Sequence, residues 1–261
     1  MIKEKFKFSL ALKDGIRFVA HNFSYLAKIS TLPLIVHIVC NLFVQLQRPN
    51  ASIIEAYLWQ LPSVAMFGWL MFAQIRLLFF LEKVETIITH SVFVAERHQA
   101  KQASIIIFIL FNMFYKFCSI GLFMLSSSKY IETHAILSLL PIIIIIFMFL
   151  SVRFAVLHIV AAISFPIKLF LKRTNTPIFS VQLIALAVVS MFPIMILLQI
   201  IVPLISPSLL EVTDIADITD IERIKLVLVS APVTLLASLL LNSCAGCAIK
   251  QMLSFTINKK I

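Results

Sequence analysis

Charge is scarce in this chain of 261 residues, and so is glycine. Only 13% of the residues are charged and 61% are hydrophobic, with a mean hydropathy of +1.04. A soluble domain carries charge on about a quarter of its residues, so this composition excludes an exterior exposed to water. Four glycines are too few to build a phosphate-binding loop. The composition is that of an integral membrane protein.

Catalytic motifs are also missing. The six histidines are scattered along the chain, and the sequence contains no HExxH motif, no nucleophile elbow and no Walker loop. We therefore predict no catalytic residue, no bound cofactor and no metal site. The chain is not expected to be an enzyme.

The four cysteines do not form the pattern of a metal site. Cys244 and Cys247 have the CxxC spacing of redox and zinc sites, but no second Cys or His pair accompanies them. They also belong to "SCAGCA", a run of small residues of the kind that lets membrane helices approach closely. The sequence favours close packing here, and redox or metal chemistry is the alternative.

Six apolar runs are long enough to cross a bilayer as helices. About 20 apolar residues span the hydrocarbon core, and runs such as "LLPIIIIIFMFL" lack the alternation of a membrane β-strand. The predicted fold is therefore all-α, a polytopic membrane protein with a single domain over residues 1–261. The predicted spans are residues 27–46, 57–80, 103–125, 135–158, 178–204 and 226–248.

The basic residues fall mostly on one side of these spans. With six spans, both termini and the loops between spans 2 and 3 and between spans 4 and 5 share one side, which holds sixteen of the 22 lysines and arginines. The opposite side holds four. Basic residues in short loops stay in the cytoplasm, so both termini are predicted to be cytoplasmic. This orientation explains the net charge of +10 better than nucleic-acid binding does.

Amphipathic stretches precede the pairs of spans. In the first stretch, apolar residues recur every three or four positions from Phe8 to Phe23, opposite Lys13 and Arg17. Similar stretches begin near Val84 and Ile167. The chain therefore divides into three repeat-like units, each an interfacial helix plus a transmembrane hairpin, over about residues 5–80, 83–158 and 164–248.

Basic residues near the amphipathic stretches predict contact with anionic phospholipid headgroups. Each such residue near the surface contributes about 1 kcal/mol of attraction, and a long side chain inside a span extends its charge to the interface. Orientation in the membrane is the first explanation, and a specific hold on a phospholipid phosphate or on an acidic partner is the alternative. The predicted interface comprises Lys13, Arg17, Arg153, Lys168, Lys172 and Arg173.

Lys116 stands within an apolar span, where an unpaired charge is costly. Its predicted partner is Glu55 or Glu132, at the outer ends of neighbouring segments. If the third span is shorter, the side chain reaches the outer interface instead. His37 and Asn41 share one face of the first span, which predicts hydrogen bonding between helices, with a polar conduction path as the alternative.

Several segments resemble a known family. They are "HNF" after the first amphipathic stretch, "LLP" and "VRFAVLH" in the fourth span, and the basic "PIKLFLKRTN" before the fifth. Together they are similar to the membrane domain found beside glycerophosphodiester phosphodiesterases and to its stand-alone YciC-like bacterial relatives. The resemblance covers nearly the whole chain and implies a bacterial inner-membrane protein. The soluble catalytic barrel of those enzymes is not encoded in these 261 residues.

The predicted function is that of a non-enzymatic scaffold or envelope-homeostasis component of the inner membrane. Its partners are the lipid bilayer and anionic phospholipid headgroups, and no protein partner is identified. The alternative is a membrane component of a transporter or permease, because five spans contain proline and Lys116 lies inside the third. A transporter site needs polar groups that converge within the membrane.

Overall fold

The part of the chain that the structure describes consists of helices and short connections, with no strand. The structure is a computed structural model that describes residues 6–47, 52–83, 94–127, 134–174, 176–205 and 219–257. Helices satisfy their own backbone hydrogen bonds, as a bilayer requires. In chain order they are α1 Phe8–His21, α2 Phe23–Gln47, α3 Ile53–Phe80, α4 Val94–Ser127, α5 His134–Ala162, α6 Ile167–Arg173, α7 Pro177–Ile205 and α8 Asp220–Ile257.

Six of these helices are long and apolar enough to cross a membrane: α2, α3, α4, α5, α7 and α8. They correspond in order to the six predicted spans, so the predicted all-α polytopic fold is confirmed. Most of them extend beyond the predicted limits. Helix α8 begins six residues earlier because Thr219 and Glu222 form a capping box, in which the Thr219 amide donates to Glu222 Oε2 at 3.0 Å.

Helix α3 lies at the centre of the bundle. It packs against α2, α4, α5 and α8, and every residue from 71 to 78 is buried. Helices α2 and α4, in contrast, bury few of their residues and leave their apolar side chains mostly half-buried or exposed, as helices that border lipid do. The chain therefore surrounds one buried span with spans that border the bilayer.

Helix α1 packs on α8 through small residues. Its buried positions are Ala11, Gly15 and Val19, and a Cβ on Gly15 would lie 2.6 Å from Cys244 Sγ. The apolar stripe predicted for α1 is only partly buried, since Ile16 is 48% exposed. The face that contacts α8 is the one with the smallest side chains, because it permits the closest approach of the two backbones.

The "SCAGCA" segment packs closely on two sides. Cys244 and Cys247 are buried free thiols on α8. On the α3 side, a Cβ on Gly246 would lie 2.6 Å from Leu78 Cδ2. One turn later, Lys250 Nζ donates to the Leu78 carbonyl at 2.7 Å, where α3 approaches its end. The packing role predicted for these small residues is confirmed.

The three repeat-like units remain a prediction. Helices α1 and α6 each precede a pair of spans, but α6 has only seven residues. Most of the second amphipathic stretch, residues 84–93, lies outside the described residues. From Val94, the next described residue, a single helix continues without a break into the span of α4.

Candidate polar site within the helix bundle

Polar side chains from α2, α3 and α4 meet in one cluster, which we call the Lys116 cluster: His37, Asn41, Gln60, Ser63 and Lys116. His37 Nδ1 lies 2.7 Å from Ser63 Oγ. Gln60 Nε2 donates to Asn41 Oδ1 at 3.2 Å, and Lys116 Nζ donates to Gln60 Oε1. The bonds connect the three helices in a row, with α3 in the middle.

Helical spacing positions this cluster. His37 and Asn41 are four residues apart on α2, and Gln60 and Ser63 are three apart on α3, so each pair shares a face. Gln60 follows the start of α3 by seven residues, which is about 10 Å along the helix axis. The cluster therefore lies inside the span, in the half that the predicted topology makes external. Ser63 is buried, and the other four side chains are half-buried.

The described neighbours of Lys116 do not include Glu55, which is one of its two predicted partners. Among the described residues, Lys116 Nζ contacts Gln60 Oε1 and lies 5.6 Å from the centre of the Tyr57 ring. Glu55 is not among these contacts, and Glu132 lies outside the described residues. A neutral amide oxygen and a cation–π contact stabilise an ammonium group without neutralising it. The described cluster therefore contains a lysine and no carboxylate.

A second polar cluster joins α3, α5 and α8, and we call it the Gln74 cluster: Gln74, His158, Asn242 and Ser243. Gln74 Nε2 donates to Ser243 Oγ at 2.6 Å and to the carbonyl of Leu239 at 2.7 Å. Gln74 Oε1 accepts from Asn242 Nδ2 at 2.7 Å. Asn242 Oδ1 lies 2.9 Å from His158 Nε2. All four side chains are buried.

The two clusters differ in burial, because all four side chains of the Gln74 cluster are buried and only Ser63 of the Lys116 cluster is. Both ends of the Gln74 and Asn242 amides have partners within the bundle, so the Gln74 cluster has the form of a structural network that holds helices together. Gln74 follows Ser63 by eleven positions along α3, which is about 16 Å of helix. Buried Phe67, Leu70 and Met71 fill that interval. An apolar layer therefore separates the two clusters along α3.

Four of the six predicted lipid-interface residues are exposed. They are Lys13 and Arg17 on α1, and Lys168 and Lys172 on α6. Arg173 is the last residue of α6, and its side chain is not among those that the structure describes. Near the start of α7, the Phe179 ring packs edge-on against Phe6, two residues before α1, at 6.3 Å and against Phe170 of α6 at 6.0 Å. The structure thus brings the two basic helices to one end of the bundle.

Arg153 has protein partners in addition to its predicted place at the interface. Its Nε donates to Ser180 Oγ at 2.8 Å, and one Nη donates to the Thr176 carbonyl at 3.4 Å. Both acceptors lie at the start of α7. The half-buried guanidinium therefore joins α5 to α7.

Sequence reasoning missed Gln60, Ser63 and Gln74, although a signal was present. In "QLPSVAMFGWLMFAQ" they are the polar residues of an apolar span, and helical spacing places them along one side of α3. Polar residues aligned in this way mark a face that contacts other helices. Their partners on α2, α4 and α8 could not be predicted, because a single sequence does not show which spans are neighbours.

The six spanning helices and their buried polar contacts define an integral membrane protein. Comparisons with models of protein families, with curated proteins and with solved structures give no match. The resemblance to the membrane domain of the phosphodiesterases and to the YciC-like proteins therefore stays a prediction. In the described part of the chain, no group of three or more His, Cys, Asp or Glu side chains is placed to hold a metal ion.

Proposed function

We propose that this protein is a non-enzymatic membrane component of a transporter, and that an anionic solute binds at the Lys116 cluster. The observation that carries the proposal is the convergence of five polar side chains from three helices inside the span. The sequence favoured a scaffold because no such convergence is evident from it alone. Transporter sites are built from polar groups that meet between membrane helices.

The charge of the cluster indicates the class of solute. Lys116 supplies a positive charge, while Gln60, Asn41 and Ser63 supply neutral donors and acceptors. An ammonium group inside a bilayer is stabilised most by an anion. A solute with a carboxylate or a similar anionic group fits this set of side chains, and a cation would be repelled.

The helices beside the cluster also have breaks in their backbone hydrogen bonding. Pro33 lies one turn before His37 on α2, and Pro62 is adjacent to Ser63 on α3. A proline inside a helix removes one backbone hydrogen bond and favours a bend at that place. Bends next to a site give the helices a way to open and close around it.

Flux through liposomes tests this proposal. The purified full chain is reconstituted and screened with gradients of chloride, nitrate, phosphate and short carboxylates. We expect flux of at least one anion in the wild type, loss of that flux in Lys116→Met, and normal flux in Lys172→Met, which removes an equal charge from the exposed α6. Absence of anion flux in the wild type, or full flux in Lys116→Met, contradicts the proposal.

A scaffold or envelope-homeostasis component is the second candidate, and the Gln74 cluster favours it. That cluster uses its hydrogen bonds internally, and buried Phe67, Leu70 and Met71 separate it from the Lys116 cluster. A bundle held in this way keeps one arrangement. Isolation of a partner protein in a fixed ratio, together with absence of anion flux, supports the scaffold over the transporter.

Both candidate functions imply the same location in the cell. We propose a bacterial inner membrane with both termini in the cytoplasm. The distribution of basic residues among the loops supports the orientation, and the resemblance of the sequence to inner-membrane proteins supports the compartment.

A further inference from the structure

A pocket of about 390 Å³ lies where α3 ends, α4 begins and α5 ends. Its volume is in the range of small-molecule sites. None of its residues belongs to either polar cluster or to the predicted lipid interface. Its charged side chains are Arg76, Glu82, Glu96 and Arg97, and Phe80 contributes an apolar wall.

Three of these charges are fixed to one another. Glu82 Oε1 accepts from Arg76 Nη2 and from Arg97 Nη2, each at 2.8 Å, and Glu82 Oε2 accepts from Arg76 Nε at 2.9 Å. Arg76 also donates to the Ala162 carbonyl at 3.3 Å and stacks over the Phe80 ring at 4.2 Å. Each of the three guanidinium nitrogens of Arg76 therefore has a partner, and two of them hold Glu82 in place.

The ends of two helices shape the pocket. Leu81 follows α3 with a φ of 57°, and Ser164 follows α5 with a φ of 56°. This left-handed conformation turns the chain sharply at the end of a helix. Glu82 comes directly after the first turn, and Ser164 itself lines the pocket.

Two charged groups of the pocket retain capacity for a ligand. In the described structure Arg97 makes one hydrogen bond, to Glu82, although a guanidinium carries five donors. Its neighbour Glu96 has no described side-chain partner and is exposed. The pocket thus contains one cation and one anion, side by side, that can each form further hydrogen bonds to a ligand. Arginine binds phosphate well, and a carboxylate binds ammonium.

We propose that this pocket binds a zwitterionic ligand with a phosphate ester and a primary ammonium group, as in a phosphoethanolamine headgroup. Arg97 binds the phosphate, Glu96 binds the ammonium, and Phe80 contacts the apolar part. The inference is independent of the proposed transport function. The ligand has two possible sources, a membrane phospholipid or a free phosphoethanolamine, and they share this chemistry.

Competition for lipid by the full chain in detergent tests the pocket. The delipidated protein is mixed with equal amounts of phosphatidylethanolamine and phosphatidylglycerol, and native mass spectrometry counts the lipids retained. We expect the wild type to prefer phosphatidylethanolamine. Glu96→Gln leaves the Arg76–Glu82–Arg97 contacts in place and should lower that preference about tenfold, the size expected for one charge-assisted hydrogen bond.

Two further variants complete the test. Arg97→Gln should lower retention of both lipids, and Gln102→Ala, an exposed change one to two turns further along α4, should leave the preference unchanged. If soluble phosphoethanolamine displaces the lipid, the pocket takes the free compound; if retention persists in its presence, the pocket takes the lipid. A wild type that prefers phosphatidylglycerol, or a Glu96→Gln protein with an unchanged preference, overturns the proposal.

Discussion

Gly15 of α1 and Cys244 of α8 are in direct contact, so that a Cβ on Gly15 would lie 2.7 Å from the Cys244 Cα. Alanine at an open helical position is about 1 kcal/mol more favourable than glycine. Here overpacking, which costs about 1–3 kcal/mol, should exceed that gain. Gly15→Ala should therefore lower the Tm of the purified protein in detergent.

Gly68 provides a matched control for this change. A Cβ at Gly68 would lie 3.3 Å from Phe108 Cδ1, the edge of a side chain that can shift. Gly68→Ala should therefore change the Tm less than Gly15→Ala does. Equal Tm values for Gly15→Ala and the wild type would show that α1 does not pack on α8 as closely as described.

The Gln74 cluster should dominate the stability of the bundle. Asn242→Leu removes the partner of Gln74 Oε1 and of His158, and a buried polar group left without a partner costs about 1–3 kcal/mol. Asn112→Leu is the control, since among the described residues Asn112 Nδ2 bonds only to the Phe108 carbonyl of its own helix. Unfolding in mixed detergents should show a much lower stability for Asn242→Leu than for Asn112→Leu. The reverse order would contradict a structural role for the Gln74 cluster.

Lys116 should couple to Gln60 and not to Glu55. A double-mutant cycle of Lys116→Met with Gln60→Leu should give a coupling energy of about 1 kcal/mol, in the range measured for hydrogen bonds between membrane helices. The cycle of Lys116→Met with Glu55→Gln should give a value near zero, because Lys116 contacts Gln60 and Tyr57. Thermal stability of the single and double mutants measures both cycles. A larger coupling with Glu55 would support one of the two partners predicted from sequence.

The exposed charges of α6 should hold anionic lipid. Lys168→Glu with Lys172→Glu removes about 2 kcal/mol of surface attraction and adds repulsion, while the spanning helices still insert. Native mass spectrometry should show less anionic lipid retained. Lys225→Glu, an exposed change on the side predicted to be external, is the control and should retain anionic lipid normally. Equal retention of anionic lipid by the α6 double mutant and by the control would argue against headgroup binding by Lys168 and Lys172.

Reporter fusions test the orientation. Fusions after Gln47, Ser128 and Asp217 should report an external location, and those after Gln99, Thr174 and Lys260 a cytoplasmic one, because basic loops remain in the cytoplasm. The measurement is the activity of a reporter that works on only one side of the membrane. One reversed location among the six would contradict the predicted topology.

The spans were predictable because apolar length decides them locally, and α7 at Pro177–Ile205 differs from its predicted limits by one residue at each end. Contacts between spans were not predictable in the same way. Sequence spacing alone placed His37 and Asn41 on one face, but it did not state that Gln60 would meet them. Arg153 was expected to reach the headgroups, yet Ser180 lies within hydrogen-bond distance of it. Such partners depend on which helices are neighbours.

The position of α8 beside α1 and α3 has a consequence for biosynthesis. Gln74 on the second span accepts its hydrogen bond from Asn242 on the sixth, 168 residues later. While the intervening spans are being inserted, the buried amide of Gln74 has no native partner, and Gly15 faces no helix. Assembly of the bundle must therefore follow insertion as a separate stage. A ribosome that stalls before α8 would leave inserted but unassembled spans, with their polar faces open to chaperones and membrane proteases.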